Sequence, residues 1–589
     1  MAKYTIFWKS IFFWLLFILL NNLLNIPSWI GQLAQSDYLT ALTSSNLLRS
    51  LWYAPKSASL FNLNGDLILL LLPLFLFARI NIIKTIYCVI ASICFLLLLY
   101  YNVYYEGYQG LYSVHPIFAN DWIIAKEILP TFFNELSIDK QNYLIGVVSF
   151  LLTSILLVFG FYYLLRLFVQ LKQETLFWIP SILIIVIWGS GLQFYHKKEI
   201  INEENNSIKS NSFTYTNWIY PNIQLSSTIK RTDPLAHLKK RWLYDLYMNK
   251  PLVKKPNVYL LFIESYGAVA TLADGFSDKF ENLAGNLEAQ LKSNDWHITS
   301  NYSKSPVIGG RSWLALTTTI TGARIEDQIQ YNGLIHEHQQ FPHMVDFFNN
   351  QGYETMRVST MSSKDIDTLN MITIPNQFWK FDQRLFFSDI PYRGYRYDYY
   401  GGIPDQYTLG YIQETNLDTI SRPYFMTFIT MNSHGPWSVG PPIVPHWKSL
   451  DTLYNPYPDG RPPSTMHIDQ YWQLVEYELK MLTDFILKVG DEKSVFILLG
   501  DHNPAGLEWK LFGRFNKWAT PIHIISKDAS FVNSFEQHGF TEGMVVDTTQ
   551  HTIMRHMGLY SMLTRQLLEQ YGEEEEVLPE YLPWGLRFE

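Results

Sequence analysis

Long apolar segments in the first third of the chain constrain its fold more than any other feature. They lie at 6–26, 60–78, 83–103, 143–165 and 176–195. A helix needs about 20 apolar residues to cross the roughly 30 Å hydrocarbon core of a bilayer, and each segment approaches that length. No small-residue cleavage site follows the first segment, which favours a retained span over a signal peptide. We therefore predict a five-helix membrane bundle over residues 1–196.

The basic residues predict the orientation of this bundle. They crowd the N-terminus and the short loops near residues 79–84 and 166–172, whereas the long loops 27–59 and 104–142 carry them at much lower density. Lysine and arginine concentrate in short cytoplasmic loops. The N-terminus is therefore predicted to be cytoplasmic and everything after residue 196 extracytoplasmic.

The net charge and the cysteine content limit the partners and the disulfides that the chain can have. The net charge is −8 and no basic stripe is present, which argues against a nucleic-acid partner. The two cysteines, Cys88 and Cys94, share one apolar segment. The C-terminal part consequently has no disulfide, and it is long enough to bury a core without one.

Beyond the spans, residues 197–255 are polar and predict a partly ordered tether with a helix near 234–248. Residues 256–589 predict a folded extracytoplasmic domain. Its apolar runs NVYLLFIES, PYFMTFITMNSH, SVFILLGDH and TPIHIIS alternate with helical patterns at 276–293, 340–351, 466–489 and 547–570. Unbroken apolar runs are typical of buried parallel strands. We predict an α/β fold with a mostly parallel central sheet and helices on both faces.

Three of these apolar runs end in residues that can carry chemistry. Glu264 follows the first run, His434 ends the second, and Asp501 and His502 end the third. Active sites in such sheets gather at the carboxyl ends of the strands. Two carboxylates and an imidazole, completed by a hydroxyl, are suited to a divalent cation. His523, inside the fourth run, is interpreted as sheet core and not as a ligand of a second metal.

The hydroxyl is assigned to Ser312 in SPVIGGRSWLALTTTITG. Two glycines allow a tight bend before the serine, and the following residues predict a helix that begins there. A helix N-terminus presents free N–H groups to an oxyanion. An activated serine in this position could attack phosphorus. Ser312 could also be a plain N-cap, in which case Thr317 and Ser305 are the next candidates for the nucleophile.

The motifs FIES, GGRSW, NSHGPW and LLGDH occur in the order found in the sulfatase/alkaline phosphatase superfamily. With the preceding spans, the chain resembles the membrane-bound branch that contains lipoteichoic acid synthase and the phosphoglycerol and phosphoethanolamine transferases. The resemblance implies a sulfatase-like fold with one divalent cation, Mn²⁺ or Zn²⁺, with Mg²⁺ as a further candidate. The residues that match the family's metal ligands are Glu264, Ser312, Asp501 and His502. Ser312 also matches the nucleophile, and His434 matches the residue that contacts the phosphate or the leaving group.

Departures from the family pattern refine these expectations. Leu314 and Leu316 stand where formylglycine-forming sulfatases need proline and arginine, so formylglycine chemistry is not expected. The lipid-linked transferases usually have threonine where this chain has Ser312. The resembling phosphoethanolamine transferases commonly carry several disulfides in the soluble domain. This chain has none there, which favours the phosphoglycerol type or an uncharted relative.

Two further residues are candidates for substrate binding. Arg311 could pair with a phosphoryl group or could lie at the surface. Asp405, in GGIPDQ, follows a tyrosine-rich stretch at 393–400 that could line the substrate pocket.

Together these observations predict a transferase in the bacterial cytoplasmic (inner) membrane with a periplasmic catalytic domain. The predicted donor is a phospholipid and the predicted acceptor is an envelope glycan or lipid, with a covalent phospho-Ser312 as intermediate. A membrane-tethered phosphodiesterase or sulfatase-like hydrolase with the same site is the alternative. An inactive sensor or scaffold is disfavoured, because such a chain would have no reason to keep all four metal-site residues.

Overall fold

The computed structural model describes the following residues: 2–34, 64–76, 81–112, 114–135, 140–178, 181–182, 198–201, 207–210, 216–229, 242–248, 250–337, 340–360, 377–397, 402–437, 439–452, 468–511, 515–546, 548, 553–573 and 577–586. The chain separates into two compact units, Met1–Lys230 and Arg231–Glu589. The second unit therefore takes up the end of the segment predicted as a tether.

The described residues of the first unit are helical apart from one short pair of strands. Strands β1 (Lys198–Ile201) and β2 (Ser207–Ser210) pair antiparallel. The helices are Ala2–Ala34, Gly65–Leu71, Pro73–Leu76, Asn81–Tyr112, Phe118–Glu135, Lys140–Leu171 and Thr216–Ile229. Phe95 of the helix Asn81–Tyr112 stacks on Phe161 of the helix Lys140–Leu171, with ring centroids 4.4 Å apart. Apolar contacts of this kind hold the unit together.

The described residues contain three helices that are long and apolar enough to cross a membrane, not the predicted five: Tyr4–Pro27, Asn81–Tyr112 and Tyr143–Leu171. These include the predicted spans at 6–26, 83–103 and 143–165. The predicted span at 60–78 is described only at 64–76, where it forms two short helices. Most of the predicted span at 176–195 lies outside the described residues.

The second unit is built on a mixed sheet, which corrects the prediction of a mostly parallel one. Its strands are β3 (Asn257–Ile263), β4 (His297–Lys304), β5 (Glu354–Ser359), β6 (Gln383–Phe386), β7 (Tyr424–Ile429), β8 (Ser494–Gly500), β9 (Ala519–Ser526), β10 (Thr541–Glu542) and β11 (Met554–Arg555). Their order in the sheet is β10-β4-β9-β8-β3-β7-β5-β6, with β11 beside β4. Strands β8, β3, β7, β5 and β6 run parallel, whereas β9 is antiparallel to β8 and to β4, and β10 is antiparallel to β4.

The physical reason for this error is that an apolar run reports burial and not direction. Every residue of β9 is buried, as in the parallel strand β8, although β9 runs the other way. Strand β4 was not predicted, because its sequence HITSNYSK is polar. Its serine and threonine side chains are nevertheless buried.

Helices cover both faces of this sheet, as the α/β interpretation requires. Val258, Leu260 and Phe262 of β3 enter one core, and the alternate residues Tyr259, Leu261 and Ile263 enter the other. The helices of the unit are Trp242–Met248, Ala268–Leu272, Ser277–Lys292, Ser312–Thr321, Gln328–Asn332, Met344–Asn350, Asp405–Thr415, Ile468–Val489, Ala529–Asn533 and Leu559–Tyr571. Burial on both faces of β3 and β8 explains their unbroken apolar sequences.

Candidate active site

Two adjacent parallel strands, β3 and β8, end side by side, and three polar side chains lie at that edge of the sheet. Ile263 at the end of β3 is in register with Gly500 at the end of β8, so that Glu264 emerges beside Asp501 and His502. A Cβ on Gly500 would lie 1.8 Å from the Tyr266 carbonyl oxygen, which explains the glycine before the aspartate. The ligand atoms of Glu264, Asp501 and His502 all lie within 4.8 Å of one another.

Ser312 reaches the same point from a different element. Gly309, Gly310 and Arg311 all have positive φ and turn the backbone sharply, and the predicted helix then begins at Ser312. The Ser312 hydroxyl donates to Glu264 Oε2 at 3.0 Å and lies 3.2 Å from His502 Nε2. The structure thus brings together all four residues that the sequence proposed for a metal site.

The other candidate hydroxyls are engaged in backbone contacts. Thr317 Oγ1 donates to the Trp313 carbonyl at 2.6 Å, and Ser305 Oγ donates to the Asp501 carbonyl at 2.6 Å. His523 lies in β9 between Ser300, at 2.7 Å, and Tyr266, at 3.1 Å, as expected for a residue of the sheet core. Burial lowers the pKa of His523 to about 3, so its imidazole stays neutral there.

Burial and charged neighbours shift the pKa values of the two buried carboxyl groups, Glu264 and Asp501. Burial and the neighbouring charge of Glu264 raise the pKa of Asp501 well above its usual range. Burial alone would raise the pKa of Glu264, but the positive charges that His434 and His502 can carry lower it. Two carboxylates so close in a buried site disfavour double ionisation, and a positive ion between them would remove that penalty.

The donor atoms fit a divalent cation. Asp501 Oδ2 is buried, makes no hydrogen bond of ordinary geometry to a described residue, and lies 3.3 Å from His502 Nε2. His502 Nδ1 lies 3.0 Å from the Asn503 carbonyl oxygen. That contact requires a hydrogen on Nδ1, which leaves the Nε2 lone pair directed at the carboxylates. Two carboxylate oxygens, an imidazole nitrogen and a hydroxyl form a donor set suited to Zn²⁺ or Mn²⁺.

A cavity of about 120 Å³ opens beside Ser312. Glu264, Arg311 and His434 contribute polar groups to its wall. The rest of the wall is largely apolar and aromatic and includes Phe262, Trp313, Leu316, Tyr331, Trp379 and Phe381. Apolar walls with a few convergent polar groups are typical of small-molecule sites.

Asp405 is not among the residues that line this cavity. It is fully buried, and its Oδ2 accepts hydrogen bonds from the backbone N–H groups of Met431 at 2.8 Å and Asn432 at 2.9 Å. These residues precede His434 in the same turn. The structure therefore places Asp405 behind the site, where it positions the turn that carries His434, and not in the substrate-binding position proposed from the sequence.

Two residues near the site were not predicted from the sequence. Glu478, on the helix Ile468–Val489, is fully buried close to Asp405. Arg357, in β5, lines the cavity. The sequence signal available for both was a charged residue with apolar residues on either side of it, inside a strand or a helix.

The buried pair of Asp405 and Glu478 leads to a prediction about stability and pH. Burial and the negative charge of Asp405 raise the pKa of Glu478 well above its usual range. The stability that this group contributes is full below the ordinary glutamate pKa of about 4.3 and is lost as the pH rises towards the higher folded-state pKa. We expect Glu478→Gln, which stays neutral, to lose less thermal stability than the wild type between about pH 5 and pH 8.

Apparent unfolding temperatures across that pH range test this prediction. Glu476→Gln is the matched control, because Glu476 lies two residues away on the same helix and pairs with Lys480 at 2.5 Å on the protein surface. Parallel pH profiles for the wild type and Glu478→Gln would contradict a raised pKa of Glu478 in the folded protein.

Comparisons with known proteins agree with the resemblance inferred from the motifs. Residues 256–545 match the family model described as Sulfatase. A comparison with curated proteins gives no match.

Several solved structures are similar to the chain. The integral membrane lipooligosaccharide phosphoethanolamine transferase A of Neisseria meningitidis is 14% identical with a TM-score of 0.43, and the match covers 96% of this chain and 98% of that one. A phosphoglycerol transferase of Streptococcus pyogenes is 16% identical with a TM-score of 0.36, over 56% of this chain and 80% of that one. A lipoteichoic acid synthase of Listeria monocytogenes is 14% identical with a TM-score of 0.34, over 58% of this chain and 79% of that one.

Proposed function

We propose that the chain is a membrane-anchored, metal-dependent transferase, since residues 256–545 match the family model described as Sulfatase. It moves a phospho head group, of the phosphoglycerol or phosphoethanolamine type, from a phospholipid to an envelope glycan or lipid acceptor. The observation that carries this proposal is the position of the Ser312 hydroxyl, 3.0 Å from Glu264 Oε2 and 3.2 Å from His502 Nε2 at the mouth of a cavity. That arrangement is suited to a nucleophile and has no evident structural purpose.

Ser312 acts in two displacement steps. Its Oγ forms a bond to the phosphorus of the donor while its proton moves to Glu264 Oε2, its present hydrogen-bond partner. The bond from phosphorus to the diacylglycerol oxygen breaks, and His434 supplies a proton to that leaving oxygen. The free N–H groups at the start of the helix Ser312–Thr321 stabilise the developing charge on the phosphoryl oxygens. An acceptor hydroxyl then gives its proton to His434 and attacks the phosphorus of the phosphoserine. The bond from phosphorus to Ser312 Oγ breaks, and the proton held by Glu264 returns to that oxygen.

Glu264, Asp501, His502 and Ser312 would hold the divalent cation. Mn²⁺ and Zn²⁺ are the expected ions, with Mg²⁺ as a further candidate. When bound, such an ion lowers the pKa of a neighbouring hydroxyl and neutralises charge on a phosphoryl group. The contact between His502 Nδ1 and the Asn503 carbonyl keeps the imidazole oriented for this role.

The membrane anchor supports a lipid donor. Three described helices are apolar and long enough to cross a bilayer. We place the catalytic unit on the outer side of a bacterial cytoplasmic membrane, following the distribution of basic residues. No ATP supply exists there, so an activated head group must come from a lipid already in the membrane. Attachment to the membrane raises the effective concentration of such a donor.

A donor assay with the purified full-length protein in detergent tests this proposal. With Mn²⁺ or Zn²⁺ and head-group-labelled phosphatidylglycerol or phosphatidylethanolamine, we expect release of diacylglycerol and transfer of the label to an added polyol or glycan acceptor. Release of labelled head group to water alone, at the same rate with and without acceptor, would support the alternative hydrolase and contradict the transferase. Absence of diacylglycerol release with both lipids would contradict a phospholipid donor.

A further inference from the structure

Arg357 occupies an unusual position in the sheet. Its neighbours in β5, Met356 and Val358, are buried in one core, so Arg357 lies on the opposite face of the strand. There it is in register with Thr427 of β7. Both Arg357 and Thr427 line the cavity that also contains Ser312 and His434.

The charge of Arg357 is not neutralised by any described residue. Two other arginines of this unit have carboxylate partners: Arg324 pairs with Glu326 at 2.5 Å, and Arg422 pairs with Glu354. Among the described residues, Arg357 makes no ion pair and no hydrogen bond, and the side chains that act on its charge are Tyr331, which favours it, and to a lesser extent Arg384, which opposes it. Burial, together with Arg384, lowers the pKa of the Arg357 guanidinium, although a guanidinium stays protonated in proteins.

Without a bound ligand, the positive charge of Arg357 destabilises the folded protein. Arg357 is half-buried at the cavity wall, and an ion there that has no partner loses part of its hydration without a contact that replaces it. The aromatic wall formed by Trp313, Tyr331, Trp379 and Phe381 further reduces the water available to it. A ligand that brings oxygen atoms to Arg357 would recover this free energy.

The cavity limits the size of that ligand. Its volume of about 120 Å³ is below the roughly 300–1,000 Å³ of sites for drug-sized ligands. It suits a small head group and not a sugar chain. With the phosphoryl group at Ser312 and Arg311, the distal end of such a head group would extend towards Arg357.

We propose that Arg357 determines head-group specificity by binding the distal end of the transferred group, so that hydroxyl or anionic oxygens are accepted and an ammonium is rejected. This inference rests on the proposed function and narrows it to donors of the glycerol type or their acidic relatives. A guanidinium has only hydrogen-bond donors, and so has an ammonium group. The two therefore cannot form a hydrogen bond with each other. Two cations enclosed in one apolar cavity would also repel each other strongly.

Binding measurements on the full-length protein in detergent, with Mn²⁺ present, test this inference. The probes are inorganic phosphate, glycerol phosphate and phosphoethanolamine, each measured by titration calorimetry. We expect the wild type to bind glycerol phosphate at least about tenfold more tightly than phosphoethanolamine, because a hydrogen bond to a charged group is worth about that factor. In Arg357→Gln this preference should fall to within about twofold, whereas inorganic phosphate affinity should change by less than about threefold.

Three further measurements keep the test decisive. Arg384→Gln removes a positive charge from the adjacent position on β6, where the side chain is exposed and does not line the cavity, and should keep the wild-type preference. Thermal unfolding of Arg357→Gln should show no loss of stability, because an unpaired charge is removed. Arg357→Met, of similar length and also uncharged, should reproduce the effect of Arg357→Gln.

The outcomes separate this inference from the function on which it rests. If all probes bind but the wild type shows no preference, or if Arg357→Gln keeps the preference, Arg357 does not set specificity and the transferase proposal stands. If inorganic phosphate binds no better to the wild type than to Glu264→Gln, the proposed site itself is wrong, and the role of Arg357 is rejected with it.

Discussion

Ser312→Ala is expected to lower the turnover of the phospholipid donor by at least about 10³-fold, since both displacement steps run through the serine oxygen. The folded structure should persist, because Ser312 is small and only partly buried at the start of its helix. The measurement is diacylglycerol release by the purified protein, with the unfolding temperature as a check on folding.

Two companion variants sharpen this prediction. Ser312→Thr keeps the hydroxyl and introduces the residue that the resembling transferases carry, so it should retain measurable turnover. Thr317→Ala removes a hydroxyl that lines the same cavity but donates to the Trp313 carbonyl, and should have at most a modest effect. Near-normal turnover by Ser312→Ala would show that the serine is not the nucleophile.

Removal of divalent cations is expected to abolish turnover, and Mn²⁺ or Zn²⁺ should restore it. The same ions should raise the unfolding temperature of the wild type by several degrees, because an ion at about 100 times its Kd stabilises the folded state by about 2.7 kcal/mol. Asp501→Asn should lose most of this thermal shift as well as the activity, since the buried Oδ2 of Asp501 faces the site.

The thermal shift is informative because it does not depend on catalysis. Asp484→Asn is the control, since Asp484 lies at the surface beside Lys488 at 3.7 Å and should respond to metal as the wild type does. An equal metal-induced shift in Asp501→Asn and the wild type would mean that the ion binds elsewhere. Turnover that survives rigorous chelation would refute the metal site altogether.

The core of the site could be predicted from the sequence because it follows strong local patterns. Glu264 and Asp501 each come directly after an unbroken apolar run, and such runs identify strands buried on both faces. Their adjacency follows because β3 and β8 are parallel neighbours in the sheet. Ser312 was recognisable because two glycines precede a helical pattern, and the helix begins at that residue.

Other features depend on tertiary contacts that no local pattern encodes. Asp405 and Glu264 are both carboxylates beside apolar sequence, but only the fold shows that one binds backbone N–H groups behind the site and the other faces it. The antiparallel direction of β9 is likewise absent from its apolar sequence. The polar strand β4 was missed because its buried hydroxyls bond within the sheet, as Ser300 does with His523.

The most direct test of the central claim is to look for the phosphate on Ser312 itself. The full-length protein would be incubated with Mn²⁺ and with phosphatidylglycerol or phosphatidylethanolamine labelled at phosphorus, quenched in acid and mapped by peptide mass spectrometry. Our account predicts a label on Ser312 that is absent from Ser312→Ala and that disappears when an acceptor is added. Metal-dependent release of the labelled head group with no label on the protein, or with label on a different residue, would contradict it.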